Sequence, residues 1–393
     1  MSPIRSATIA VLASAMLATT LTGCGIGGDP QDTSPIVIAA DLELSGASAP
    51  IGKVYKSALE LKVEQLNASG ALGDRKIELR IKDNRSDAAE SLRNINDFSG
   101  DSQVSAVIMG GCDECAVGAA RTIGEKRIPT IALASSSAIT EPVEQRRYVF
   151  KLAPTAADSA AALATELARR GIRKVALLHG AEGYGQEGLA ALRRELDKTN
   201  VRLVANQAVR ATDTEVSTQI DELVKRKPQA LVLWTTPQQA TLATTTARRN
   251  KFTGSLFFDS SAAGELFLGT AAGSTERATL IFTQTMVIDD VIATTPAKAA
   301  RRQWFQDYTA KFGGYHGFSS FAADAVQLIA DAELRTGGKP GEVDRDGLRD
   351  LLETAQLDGL SGPIRMTPDN HSGLMPQALT TLVARGGRWR LAG

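Results

Sequence analysis

The chain has 393 residues, 43% of them hydrophobic, which is enough for two or three domains with a core each and excludes a disordered chain. Lys plus Arg number 44 and Asp plus Glu 44, so the net charge is zero, the basic excess that phosphate-backbone binding needs is missing, and nucleic acid is not an expected partner. Aromatics make up only 5% against 35 glycines, which favours helices packed on sheets through tight turns over an aromatic-rich sandwich.

Arg5 precedes an apolar run from Ile9 to Leu21, whose 13 residues fall short of the roughly 20 that a helix needs to cross a bilayer. It reads as a signal peptide over residues 1–23. The run ends in Leu21-Thr22-Gly23-Cys24, which resembles the lipobox of bacterial lipoproteins. That resemblance implies that Cys24 becomes a lipid-bearing, palmitoylated N-terminus, followed by a Gly- and Asp-containing tether to residue 34. Removal of residues 1–23 would leave 370 of the 393, exported and anchored to the outer face of the cytoplasmic membrane. Cys112 and Cys115 remain, and an exported compartment makes a disulfide between them plausible; two Cys and the scattered His179, His316 and His371 give no zinc-ligand spacing.

Downstream, Ile36–Ala40 is a buried-strand run, followed by the turn Ser45-Gly46 and a helix with Leu59, Val63 and Leu66 on one face, stopped at Gly70. Lys76 to Lys82 alternates, with Ile77, Leu79 and Ile81 on one side, as a strand near a sheet edge does. A helix over 88–98, a strand over 104–109, a helix over 119–125 and a strand around Ile131 complete a first set. The alternation restarts after Pro154 with helices at 157–170, 186–198, 215–226 and 238–249 between strands at 175–178, 201–205, 230–234 and 256–258. The C-terminal third has helices near 297–312, 321–336 and 346–354 and strands at 364–366, 379–384 and 389–391. Strands alternating with helices predict an α/β chain with two doubly wound parallel sheets, whose ligand site lies beyond the carboxyl ends of the strands.

Leu44-Ser45-Gly46, the stretch from Asn67 through Gly70-Ala71-Leu72-Gly73 to Leu79, and Asp83-Asn84-Arg85-Ser86-Asp87 resemble the opening of branched-chain amino acid solute-binding proteins from ABC importers. Arg127 to Ser137, Tyr148 to Thr155, Glu182-Gly183-Tyr184-Gly185-Gln186 and Leu357 to Ile364 continue the resemblance in order. It implies a type I periplasmic binding protein with two lobes joined by three hinge crossings near 153, 283 and 360, so that residues 35–153 with 284–360 form one lobe and 154–283 with 361–393 the other. It also implies a monomer without enzymatic activity or cofactor, which binds an amino acid or similar polar solute in the cleft and delivers it to a permease with separate ATPase subunits.

In that family the loop after the fourth strand holds the ligand carboxylate, and here it aligns with Ala134-Ser135-Ser136-Ser137; Ser136 is the expected donor unless the serines merely cap the next helix. The loop after the third strand departs from the pattern as Cys112-Asp113-Glu114-Cys115, whose two acids would repel a carboxylate but suit an ammonium, or else face solvent. The resemblance further implies Tyr184 as a cleft wall and Asp259 or Ser260 as a partner for the ligand amine. Thr236 and Ile51 stand where relatives carry aromatics, which speaks against a leucine-like ligand.

Three other readings have sequence support. Gly183 to Gly188 fits G-x-G-x-x-G, a nucleotide-binding pattern, but so does Gly23 to Gly28 inside the export signal, and the next strand ends at Asn206 without a ribose-binding acid. Cys112-x-x-Cys115 fits a thiol–disulfide oxidoreductase, although the two intervening acids would raise the thiol pKa. A sensory receptor without transport would share the same chain, and neighbouring permease genes would distinguish it.

Overall fold

A computed structural model describes residues 32–263, 269, 273–290, 292–336 and 341–392; the signal peptide and Cys24 lie outside them. The first sheet contains β1 (Ile36–Leu42), β2 (Ile77–Asp83), β3 (Val104–Met109), β4 (Thr130–Ala132) and β5 (Val149–Lys151), in the order β2-β1-β3-β4-β5 and parallel throughout. Central β1 and β3 are buried at every position, as apolar runs covered on both faces must be, while alternating β2 is the expected edge. Helices α1 (Ala49–Ser69), α2 (Ala88–Gly100) and α3 (Asp113–Lys126) connect the strands. Pro50 near the start of α1 and a left-handed Gly70 at its end fix that helix's limits.

The second sheet contains β6 (Lys174–Gly180), β7 (Arg202–Val209), β8 (Ala230–Trp234), β9 (Ser255–Phe258), β10 (Thr279–Thr283), β13 (Leu379–Arg385) and β14 (Arg388–Leu391), ordered β14-β13-β10-β9-β8-β6-β7. Strands β6 to β10 are parallel, and β13 and β14 add an antiparallel border. Helices α4 (Ala156–Arg169), α5 (Gly183–Leu196), α6 (Ser217–Lys225) and α7 (Pro237–Arg249) belong to it, whereas α8 (Pro296–Phe312), α9 (Ser319–Glu333) and α10 (Arg345–Leu352) return to the first sheet's side.

Three features differ from the sequence reading. Strands β5 and β10 were not expected, because each abuts a hinge crossing and β5 is a three-residue strand ending in a fully buried lysine. Cys112–Cys115 is not a loop: Cys112 caps α3 and residues 113–115 are its first turn, where Asp113 and Glu114 suit the positive end of the helix. The last crossing is drawn out, since β11 (Gln356–Asp358) pairs only with β12 (Pro363–Arg365), His371 and Gly373 hydrogen-bond with Lys151 of β5, and the chain joins the second sheet at Leu379. Asp324 of α9 pins this crossing by accepting from the amides of Leu360 (2.8 Å) and Ser361 (2.7 Å) and from the Ser361 hydroxyl (2.6 Å).

Candidate functional site

The carboxyl ends of the strands from both sheets converge on a cavity of about 360 Å³. From the first sheet come Ser48 after β1, Gly111 to Glu114 after β3 and Leu133 to Ser135 after β4; from the second come Glu182 and Tyr184 after β6, Trp234 to Thr236 after β8 and Ser260 after β9. Tyr55, Tyr184, Trp234, Phe282 and Phe318 line it, a concentration of rings in a chain with 5% aromatics. The aromatics absent at Ile51 and Thr236 are thus replaced from other positions, and both of those residues line the cavity as well.

The charge of the lining is one-sided. Asp113, Glu114 and Glu182 border the cavity, and no Lys, Arg or His among the described residues does. Asp113 Oδ1 accepts from the backbone amides of Ser135 (2.8 Å) and Ser136 (2.6 Å), and burial pushes its pKa up to about 6 against the pull of those amides and of nearby Lys151. Glu187, one turn into α5 on the opposite lobe, accepts from the Ser136 hydroxyl (3.0 Å) and from the Ser137 amide (3.1 Å). Three successive amides of the segment expected to hold a ligand carboxylate are therefore satisfied by the protein's own carboxylates. The same Ser136 oxygen also accepts from the Ala138 amide (3.3 Å), so capping and cross-lobe bonding coexist in one residue.

Behind this wall, Lys151 Nζ donates to the carbonyls of Ser135 (3.0 Å) and Ala153 (3.1 Å), tying the β4 segment to the first crossing, and burial lowers its pKa to about 8. Glu43 is fully buried, accepts from the amides of Gly111 (3.1 Å) and Cys112 (3.0 Å), and is pushed up to about 7 by desolvation. Neither Glu43, Lys151 nor Glu187 was singled out in the sequence: the first two lie outside the strands read there, and Glu187 stands inside the G-x-G-x-x-G stretch without a role of its own.

Tyr184 is buried and donates from its hydroxyl to Asp259 (3.0 Å), with Ser260 at 3.4 Å. Asp259 also accepts from the Ser261 amide (2.9 Å) and lies behind the tyrosine, whereas Ser260 borders the cavity. Thr236 caps α7 through the Gln239 amide, and Ala134 is a buried part of the wall. Cys112 and Cys115 have their sulfurs 1.99 Å apart, at bonding distance, with Cys112 on the cavity border. Two of the three glycines of the G-x-G-x-x-G stretch answer to packing: a Cβ on Gly185 would lie 2.1 Å from the Gly180 carbonyl, and one on Gly188 2.4 Å from the Trp234 indole, whereas one on Gly183 would meet open space. No group of three metal-ligating side chains occurs among the described residues.

Two doubly wound sheets whose strand ends face one another across a polar and aromatic cavity define a two-lobed ligand receptor. Residues 35–387 match the periplasmic binding protein family, and the chain belongs to it. Its fold is that of the type I proteins. An extracellular ligand-binding receptor from Rhodopseudomonas palustris HaA2 superimposes with a TM-score of 0.83 at 22% identity, covering 91% of this chain and 99% of that one. A leucine-binding protein from Thermotoga maritima gives 0.78 at 18%, covering 91% and 98%. A solute-binding protein of an ABC transporter from Rhodopseudomonas palustris BisB5, in complex with 3,4-dihydroxybenzoic acid, gives 0.78 at 17%, covering 90% and 95%. The family places the protein outside the cytoplasm.

Proposed function

We propose that the protein is the solute receptor of an ABC importer, tethered through lipid on Cys24, and that its cleft takes a small amine-bearing cation for delivery to the permease. It acts by binding and hinge closure, as a monomer without a cofactor. The observation that carries the ligand class is the occupation of the Ser135, Ser136 and Ser137 amides by Asp113 and Glu187. A solute carboxylate there would displace a protein carboxylate and face three lining acids without a lining cation; an ammonium meets Asp113, Glu114 and aromatic faces suited to cation–π contact. On this reading Asp113, Glu114, Ser135, Tyr184, Thr236 and Ser260 touch the solute, while Ala134, Ser136 and Asp259 position them. A Cys112–Cys115 bridge would hold the first turn of α3 at the cavity border. On this reading the lobes are residues 35–153 with 284 to about 374, and 154–283 with the remainder; the bonds of His371 and Gly373 to Lys151 and the entry of the chain into the second sheet at Leu379 support a third crossing later than residue 360.

A thermal-shift screen of the mature chain against monoamines, diamines, amino acids and aromatic acids tests the ligand class. The expected result is a Tm increase with amine-bearing cations and none with benzoates; a shift confined to carboxylates overturns it. Tyr184→Ala should remove most of the shift while the protein remains folded by circular dichroism.

A further inference from the structure

The amino ends of the first sheet's strands, at the pole opposite the cleft, carry a second concave site. A cavity of about 570 Å³ lies between the end of α3, the segment preceding β5, and α10, and is lined by Arg121, Arg127, Arg146, Arg147 and Arg349 against Glu125 and Glu144. Most of the local acids are already engaged: Glu125 pairs with Arg121, Asp346 with Arg127, and Asp350 and Glu353 with Arg349. Arg146 and Arg147 form no ion pair among the described residues; Glu144 borders the cavity with them, and Arg147 also borders an adjoining hollow with Glu141 and Asp369. Two donors on the lining are buried without a partner, Nε of Arg146 and Nε of Arg349, and Arg349 is only 9% exposed. A buried guanidinium N–H without an acceptor is costly, and surplus guanidinium forks match the oxygens of a tetrahedral phosphate.

The topology says which phosphate is near. In a parallel sheet the start of β1 lies on the same edge as the starts of β4 and β5, two inter-strand spacings or about 10 Å from β4. Ser34, just before β1, is held there by Arg75, whose Nε donates to its carbonyl (3.1 Å). The ten steps from Cys24 to Ser34 span at most about 36 Å, so a lipid on Cys24 tethers the chain to the bilayer from this pole, opposite the cleft.

We propose that the arginine cavity binds the phosphate of an anionic phospholipid headgroup and so orients the receptor on its membrane. This rests on the anchor at Cys24, which mass spectrometry of the native chain tests separately as a diacylglyceryl adduct. The docking test uses the mature chain from Cys24 made without lipid, co-sedimented with vesicles of phosphatidylcholine alone or with 30% phosphatidylglycerol. Binding should require phosphatidylglycerol, fall about tenfold or more in Arg146→Gln/Arg147→Gln, and survive in Arg226→Gln/Arg249→Gln, which removes equal charge from exposed sites just after α6 and at the end of α7 in the other lobe. Equal loss in both variants means bulk charge alone and overturns the proposal. So does calorimetric binding of inorganic phosphate that depends on Arg146 and Arg147 with no affinity for vesicles, which would assign the cavity to a free anion.

Discussion

At the residue scale the site depends on carboxylates held in places where ionisation is costly. Glu43 has its pKa raised from 4.5 to about 7 by burial, so between those values the folded state binds a proton that the unfolded chain has released. Stability contributed by this group is therefore present at low pH and lost as pH rises toward 7, at up to about 1.4 kcal/mol per pH unit. Replacing Glu43 with Gln removes that dependence, and the Tm of Glu43→Gln relative to wild type should rise between pH 5 and pH 8 in parallel melts. A constant difference would show that Glu43 titrates normally. Asp113 follows the same sign with a midpoint near 6, so cation binding should weaken as pH falls from 7.5 to 5. The acids at 113 and 114 were legible as a departure from the family pattern. The engagement of the Ser135 and Ser136 amides by Asp113 was not, because a hydrogen bond between segments 22 residues apart leaves no local signature.

At the element scale, buried parallel strands such as β1, β3 and β8 announce themselves as continuous apolar runs, and their helices as 3.6-period faces. β5 escapes this logic because Lys151 interrupts it, and a buried lysine makes sense only once the carbonyls of Ser135 and Ala153 are seen to receive it. Gly185 and Gly188 of α5 show the same limit: a spacing suggestive of phosphate binding turns out to be the spacing at which the helix lies against the Gly180 carbonyl and the Trp234 indole. Gly188→Ala would place a methyl 2.4 Å from that indole, and overpacking of this kind costs about 1–3 kcal/mol. Differential scanning calorimetry should show a Tm lower by several degrees; an unchanged Tm would mean that α5 shifts freely, and with it Tyr184.

At the scale of the whole molecule, the bonds from Ser136 and Ser137 to Glu187 cross between the lobes, where α3 and α5 also touch. Charge-assisted bonds of this type contribute about 1.5–3 kcal/mol each before solvent screening, enough to shift an open–closed ratio tenfold. Glu187→Ala should therefore raise the solute-free radius of gyration in small-angle scattering, with the solute restoring the compact value. Identical curves for the two proteins would remove the cross-lobe bonds from the closing equilibrium. Two tandem α/β lobes follow from the order of strands and helices alone, but the drawn-out third crossing does not, since residues 356–378 form only short, irregular pieces held by Asp324 and Lys151.

The central claim is that Asp113 presents a negative charge to a cationic solute while occupying the amides of the β4 segment. Asn at this position keeps an oxygen for the Ser135 and Ser136 amides and removes the charge. Calorimetric titration of wild type and Asp113→Asn at pH 7.5 with the amine selected by thermal shift measures that charge directly. A loss of tenfold or more in affinity, equivalent to about 1.4 kcal/mol or more, is predicted; equal affinity, or tighter binding of a carboxylate by the variant alone, would contradict it.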